Sequence, residues 1–296
     1  MSLLHTWSPM LTWLALAVSL IFLALFLYWV LVISEGTYFG ARFVTWLYDL
    51  SAHRYDDIKQ FNDDEEDKFV GLPLQWTSQS VRHPLVLDVA TGTGRLPLVL
   101  LRHPFFDGRI VALDLSRNML RRAYEKLASF GDRVTLLRQD AMCLPFPDEI
   151  FDVVTCLEAL EFLPSPTRAL HEMVRVLRPG GVLLTTNRVG WEAKLLPGKA
   201  LSPKQLCAIL DALPLRSEVR RWQVFYDQIW ARKTGCTSAN GNGDLALSDV
   251  LLCPHCSDAF LQRSAASFQC PVCCRLYPVE DGVLSLADGA ILEPTV

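Results

Sequence analysis

The stretch Val86-Leu87-Asp88-Val89-Ala90-Thr91-Gly92-Thr93-Gly94-Arg95 constrains the fold more than any other. A short apolar run ends in a carboxylate, and a turn of small residues leads at once into a helical segment, Leu96 to Arg102. A strand that hands an acid to a tight turn and is answered by a helix is the opening of a βαβ unit. The pattern then repeats. Arg109 to Leu113 reads as a strand closed by Asp114, and Ser116 as the N-cap of a helix through Phe130 with Gly131 behind it. Val134 to Arg138 and Phe151 to Leu157 read as the third and fourth strands. Pro166 to Leu177 reads as a helix stopped by Pro179-Gly180-Gly181, and Val182 to Thr186 as the fifth strand. A helix opens at Ser202-Pro203, and the runs Val219 to Val224 and Gln228 to Lys233 close the domain. Strands separated by helices of about ten to fifteen residues predict an α/β fold with a parallel, doubly wound, Rossmann-like sheet.

In such sheets ligands settle in the crevice beyond the strand ends, and small residues let the backbone approach them. A dinucleotide fingerprint would need a third glycine where Pro97 stands, which disfavours a nicotinamide cofactor. Asp114 ends the second strand, where a carboxylate can accept two ribose hydroxyls, and Asp140-Ala141 follows the third, where an acid can meet an adenine amine. Any one of these acids could be a helix cap or a solvated loop residue. Three of them, each just past a consecutive strand end, argue against coincidence.

Leu85 to Leu184 resembles the class I S-adenosylmethionine methyltransferases, in particular the group that includes the ubiquinone and menaquinone C-methyltransferases. The resemblance is carried by Leu87 to Arg95 (LDVATGTGR), Val111 to Leu120 (VALDLSRNML), Gln139 to Cys156 (QDAMCLPFPDEIFDVVTC) and Glu172 to Leu184 (EMVRVLRPGGVLL). Tyr48 to Asp56 resembles the segment that covers the cofactor in many members, so the likeness spans about Tyr48 to Lys233. It implies an enzyme whose loop Asp88, Ala90, Thr91, Gly92 and Gly94 lies against the methionine and sugar portions of S-adenosyl-L-methionine. Asp114 would hold the ribose, and Asp140 and Ala141 the adenine. Ala90 stands where the family carries the first glycine. Methyl transfer from a sulfonium is an in-line displacement from an activated donor, so positioning and desolvation carry it and no catalytic residue is expected in the loop. If the acceptor must lose a proton, Glu158 and Glu161 after the fourth strand are better placed than His171, which reads as a solvated helix residue.

The two ends of the chain differ in kind from this centre. From Met10 to Ile33 there is no charged residue. As a helix that run is about 36 Å long, against a hydrocarbon core of about 30 Å. No Lys or Arg precedes it, and Val32-Ile33-Ser34-Glu35-Gly36 is a poor cleavage site, so a retained transmembrane anchor is expected rather than a signal peptide. Arg42, Arg54 and Lys59 follow the span, which places the globular part on the cytosolic side. The aromatic residues between Thr37 and Asn62 read as an interfacial helix or, equally, as a cap on the catalytic domain.

Five of the nine cysteines fall between Cys253 and Cys274. In a cytosolic domain this points to metal rather than to disulfides. Cys253-Pro254-His255-Cys256 and Cys270-Pro271-Val272-Cys273 form two C-x-x-C knuckles, and four thiolates so spaced close a structural Zn2+ site at Cys253, Cys256, Cys270 and Cys273. Cys274 is surplus. The run from Asp249 to Ala287 resembles the small zinc-ribbon proteins that activate tRNA and protein methyltransferases, in which Gly usually stands at the position of Cys274.

The expected organisation is therefore an anchor over 1–36, a methyltransferase domain over 37–234, a Gly/Ser/Asn-rich linker over 235–248 and a zinc ribbon over 249–296. The expected function is methylation of a small lipophilic acceptor at the cytosolic membrane face. A membrane-tethered S-adenosylmethionine-binding scaffold and a tRNA or protein methyltransferase with a built-in activator are the alternatives. A net charge of −4 argues against a nucleic-acid partner, and Thr155-Cys156-Leu157-Glu158 stands where an Asn-Pro-Pro-Tyr type motif would.

Overall fold

A computed structural model describes residues 9–60, 62–236, 238–264 and 266–291. Residues 1–8 of the expected anchor, 292–296 of the expected ribbon, and Phe61, Thr237 and Ala265 lie outside the described residues.

The chain begins with α1 (Pro9–Tyr28), followed by the short helices α2 (Ala41–Ser51), α3 (Tyr55–Lys59), α4 (Asp63–Glu66) and α5 (Leu72–Ser78). The central alternation comprises β1 (Leu85–Val89), α6 (Arg95–Arg102), β2 (Arg109–Asp114), α7 (Arg117–Leu127), β3 (Val134–Arg138), β4 (Phe151–Cys156), α8 (Pro166–Val176) and β5 (Leu177–Arg188). Next come α9 (Gly190–Lys194), α10 (Pro203–Ala212), β6 (Leu215–Arg221) and β7 (Tyr226–Lys233). The C-terminal part holds β8 (Gln262–Ser264), β9 (Ser267–Gln269), β10 (Arg275–Glu280), β11 (Val283–Ser285) and β12 (Ala290–Ile291).

Strands β5-β4-β1-β2-β3 lie side by side and parallel, so the strand order reverses between β1 and β4. That reversal opens the crevice in which doubly wound sheets take their ligands. β1 and β4 are buried along their whole length, because helices cover both faces of the sheet at its middle. The sheet is nevertheless mixed, not wholly parallel as its alternation suggests: β7 runs antiparallel to β5, and β6 antiparallel to β7. Helix starts follow their caps. The Ser116 hydroxyl accepts the amide of Met119, and Ser202 with Gln205 forms a capping box.

Three expectations are corrected. The helix α7 stops at Leu127, and a tighter turn carries the chain past Gly131 to Arg133. Pro179-Gly180-Gly181 lies inside β5 and not in a loop after α8. A Cβ at Gly181 would sit 2.9 Å from the carbonyl oxygen of Asp152, so glycine there lets β5 close on β4. Third, the Gly/Ser/Asn-rich linker is docked rather than loose. The amides of Gly241 and Gly243 donate to the carbonyls of Arg82 and His83, and Arg178 donates to the carbonyls of Ser238 and Asn240 at 3.0 Å. Arg178 is itself ion-paired at 2.5 Å with buried Asp152, whose carboxylate also accepts the amides of Leu85 and Asn242. Small residues here serve close approach: a Cβ at Gly241 would fall 2.5 Å from the carbonyl oxygen of His83.

The connector delivers the C-terminal part to the open edge of the sheet. There β11 adds parallel to β3, pairing Val283 with Leu136 and Ser285 with Arg138, and β10 adds antiparallel to β11. Leu251, Leu261, Phe268 and Tyr277 join Leu137, Phe146 and Phe151 in one continuous core. At the other end, Pro9–Ile33 is long and apolar enough to cross a membrane by length and composition, and no residue of α1 itself is buried.

Candidate functional site

The turn after β1 owes its shape to backbone that few side chains tolerate. Ala90 and Gly92 adopt φ of +55° and +57°, in the left-handed region. Nothing lies within 4 Å of where a Gly92 Cβ would point, so the side-chain space belongs to a cavity. Gly94 is held by packing. A Cβ there would meet Leu127 at 2.8 Å and Ala123 at 3.1 Å, so it seats α6 against α7 and does not line the cavity.

The cavity is lined by Ala90, Gly92, Asp114, Asp140 and Ala141 from the strand ends. Asp88 and Thr91 line an adjoining recess with Ala90 and Gly92. Asp114 accepts the amides of Gly92 and Ser116, each at 2.8 Å, and burial still pushes its carboxyl above the usual range. Asp88 lies deeper. Burial raises it to about 6 although the Thr155 hydroxyl donates to it at 2.6 Å. Asp140 accepts the amide of Met142 at 2.8 Å, which shapes the turn after β3.

The segment Tyr48 to Asp56 covers these groups. Asp49 accepts from the Ser116 hydroxyl at 2.6 Å and from the Asn118 amide at 3.0 Å. Asp56 accepts from Thr93 at 2.6 Å and pairs with Lys126 at 2.6 Å. Ala41, Val44, Thr45 and Tyr48 of α2 form the cavity roof. The far wall is apolar, built from Leu157, Ala159, Phe162, Leu163 and Pro164.

Among the base candidates, His171 is exposed on α8 and lines neither recess. Glu158 lines the cavity; burial opposes its charge, but Arg95 at 2.9 Å and Lys59 at 3.5 Å outweigh it and hold the carboxyl below the usual range. Glu161 is buried, which raises its carboxyl, and accepts the Tyr226 hydroxyl at 2.6 Å with Arg188 at 3.5 Å. Sequence reasoning missed Glu35, which had been read only as part of the anchor's flank. Its backbone is left-handed at φ +44°, burial raises its carboxyl, and the hydroxyl of the cavity residue Tyr48 donates to it. A lone acid between an apolar run and an aromatic segment carried no signal for this pairing.

In the C-terminal part the thiol sulfurs of Cys253, Cys256, Cys270 and Cys273 all lie within 4.8 Å of one another. Cys253 to Cys273 and Cys256 to Cys270 are each 3.7 Å apart, close to the edge of about 3.8 Å that Zn–S bonds of about 2.3 Å give a tetrahedron. Cys274 stays outside the cluster. It is exposed with φ +56°, a left-handed conformation that glycine adopts more readily than any other residue.

Residues 87–185 match the family described as "Methyltransferase domain". The demethylmenaquinone methyltransferase of Symbiobacterium thermophilum is 35% identical over 144 residues, covering 47% of this chain and 57% of the relative. That of Lactiplantibacillus plantarum is 34% identical over 146 residues, covering 47% and 59%. The ubiquinone/menaquinone biosynthesis C-methyltransferase of Escherichia fergusonii is 33% identical over 162 residues, covering 51% and 64%. The chain thus spans less than two thirds of the length of these relatives. The crevice between β1 and β4, the acids at three successive strand ends and this likeness agree on one point: residues 87–185 are similar to a methyltransferase domain and lie in an α/β, Rossmann-like sheet.

Proposed function

We propose that this chain transfers the methyl group of S-adenosyl-L-methionine to a small lipophilic acceptor, held at the cytosolic face of a membrane by α1. The observation that carries the reading is the cavity itself. One wall offers the carboxylates of Asp114 and Asp140 beside left-handed, side-chain-free backbone at Gly92; the other, Glu158 apart, is apolar, built from Leu157, Ala159, Phe162, Leu163 and Pro164. A charged, sugar-bearing donor suits the first wall and a lipophilic ring the second. The relatives, by name, act in menaquinone and ubiquinone synthesis, which favours an electron-rich ring of that class as acceptor.

The donor, when bound, supplies an already activated methyl group, so the residues of the chain bind, orient and exclude water. Asp114, oriented by two backbone amides, is the acceptor for ribose hydroxyls, and Asp140 with Ala141 is the adenine end. Asp88, Ala90, Thr91 and Gly92 take the remainder, with Gly94 supporting from behind. Tyr48, Phe162 and Leu163 close the site against water. In the C-terminal part the donor set fits Zn2+: four thiolates, no carboxylate and no imidazole make a closed structural site rather than a catalytic one.

Calorimetric titration of the full chain with S-adenosylmethionine tests this. Asp114→Ala should weaken binding by about 1.5–3 kcal/mol, the value of charge-assisted hydrogen bonds to the ribose. Equal affinity of the two proteins, or preference for a nicotinamide dinucleotide, would remove the reading. Binding without methyl transfer to any short-chain hydroquinone would favour a scaffold.

A further inference from the structure

The roof of the cavity is apolar on two opposite sides. At about 100° per residue, Ala41, Val44, Thr45 and Tyr48 of α2 share the side that lines the cavity, and Phe43, Trp46 and Leu50 share the other. Phe39, in the turn before α2, extends this outer row: its ring centroid is 5.2 Å from that of Phe43, which is 5.5 Å from Trp46. Phe39, Trp46 and Leu50 are 56%, 54% and 62% exposed. Single exposed apolar residues are ordinary, but a contiguous aromatic row is not left to water without a partner.

The partner is indicated by what the row adjoins. Trp29, at the foot of the apolar helix, stacks on Tyr38 at 5.3 Å and donates to the carbonyl of Leu195 at 3.0 Å. Tyr38 donates to the carbonyl of Pro197, and Thr37 to that of Glu161. Val30 and Ile33 are buried. The foot of the helix is therefore fastened to the catalytic domain at several points, and the outer row of α2 begins just past it. Arg42 precedes Trp46 by four residues and so shares its stripe, giving the row the aromatic and cationic mixture that favours the headgroup level of a bilayer.

We propose that the outer face of α2 beds in the surface of the lipid bilayer that α1 spans. The cavity then has a roof whose other side is lipid, and a lipophilic acceptor enters past α2 from the bilayer instead of from water. This inference rests on the reading of α1 as a retained anchor.

The test uses the full chain in nanodiscs of phosphatidylcholine and phosphatidylglycerol with acyl chains brominated near the headgroup, and reads tryptophan quenching. Trp46→Phe should lose a share of the quenchable emission, whereas Trp76→Phe, on exposed α5 surface, should lose none. Leu50→Glu should lift Trp46 out of reach and reduce quenching without removing a tryptophan. If Trp13→Phe lowers the quenched share but Trp46→Phe and Leu50→Glu do not, α1 is in the bilayer and the α2 face is not, which overturns the proposal. If no tryptophan is quenched, the anchor reading fails and takes this one with it.

Discussion

Two segments flank the same α/β core and attach to it by different physics. The C-terminal part joins through backbone: β11 extends the sheet beside β3, and its apolar residues enter the core of the catalytic domain. The N-terminal part joins through a few side chains at the foot of α1 and through the acids of the α2–α3 segment, while α1 itself buries nothing. A segment that completes a sheet has become part of the fold, since losing it exposes an edge and opens the core. One that touches by side chains at its base leaves its main surface for another phase.

If the four cysteines hold zinc, removing it is the severest trial of that contrast. A zinc chelator, or Cys256→Ser, should unfold the C-terminal part at a cost on the order of 10 kcal/mol. Because the core is shared, the catalytic domain should melt earlier in the same transition. A calorimetric trace in which the catalytic domain keeps its midpoint would break the comparison.

Asp88 tests how far the core tolerates its own site. Its carboxyl rises from 3.8 to about 6 on folding, so the folded state holds the proton more tightly than the unfolded one. Stability should fall as pH rises from about 4 to 6, and the charged form remains a net cost above that. Asp88→Asn should therefore gain up to about 3 kcal/mol at pH 7 and almost nothing near pH 4, while binding S-adenosylmethionine less well. Urea titrations at the two pH values measure it; equal gains at both would show that Asp88 is not the titrating group.

A smaller effect sharpens the link between the C-terminal part and the site. Arg138 pairs with Asp288 and donates at 3.1 Å to the carbonyl of Leu115, the residue after Asp114. Arg138→Ala should cost about 1–2 kcal/mol and weaken cofactor binding with it. Loss of stability with unchanged affinity would confine Arg138 to a structural part. Smallest of all, removing residues 1–28 should change the unfolding free energy by less than about 1 kcal/mol while releasing the chain from membranes. A large drop in midpoint would place α1 among the segments that complete the fold.

The strand ends and their acids were legible because buried strands and amphipathic helices leave a local period, and the cysteine knuckles because a metal needs a fixed spacing. What lay out of reach was tertiary. Gly241 and Gly243 admit close packing, yet glycine is equally common where chain must be loose, so the connector read only as a linker. The pairing of Val283 with Leu136 joins residues far apart in sequence through backbone groups that every residue carries. The aromatic run after the anchor supported two readings, a cap and an interfacial helix, and α2 has faces suited to both. Glu35 gained its partner, the Tyr48 hydroxyl, only through the fold.

The parallel pairing of β11 with β3 also sets an order of events in biogenesis. Synthesis delivers β11 long after β3, so a growing chain carries an unpaired strand edge at Val134–Arg138 until the cysteine-bearing segment has been made. Such an edge is a template for wrong partners. If the four cysteines hold zinc, metal supply during synthesis governs how long the edge stays open. Scarcity should then appear as aggregation of newly made chain, ahead of any loss of activity in molecules already folded.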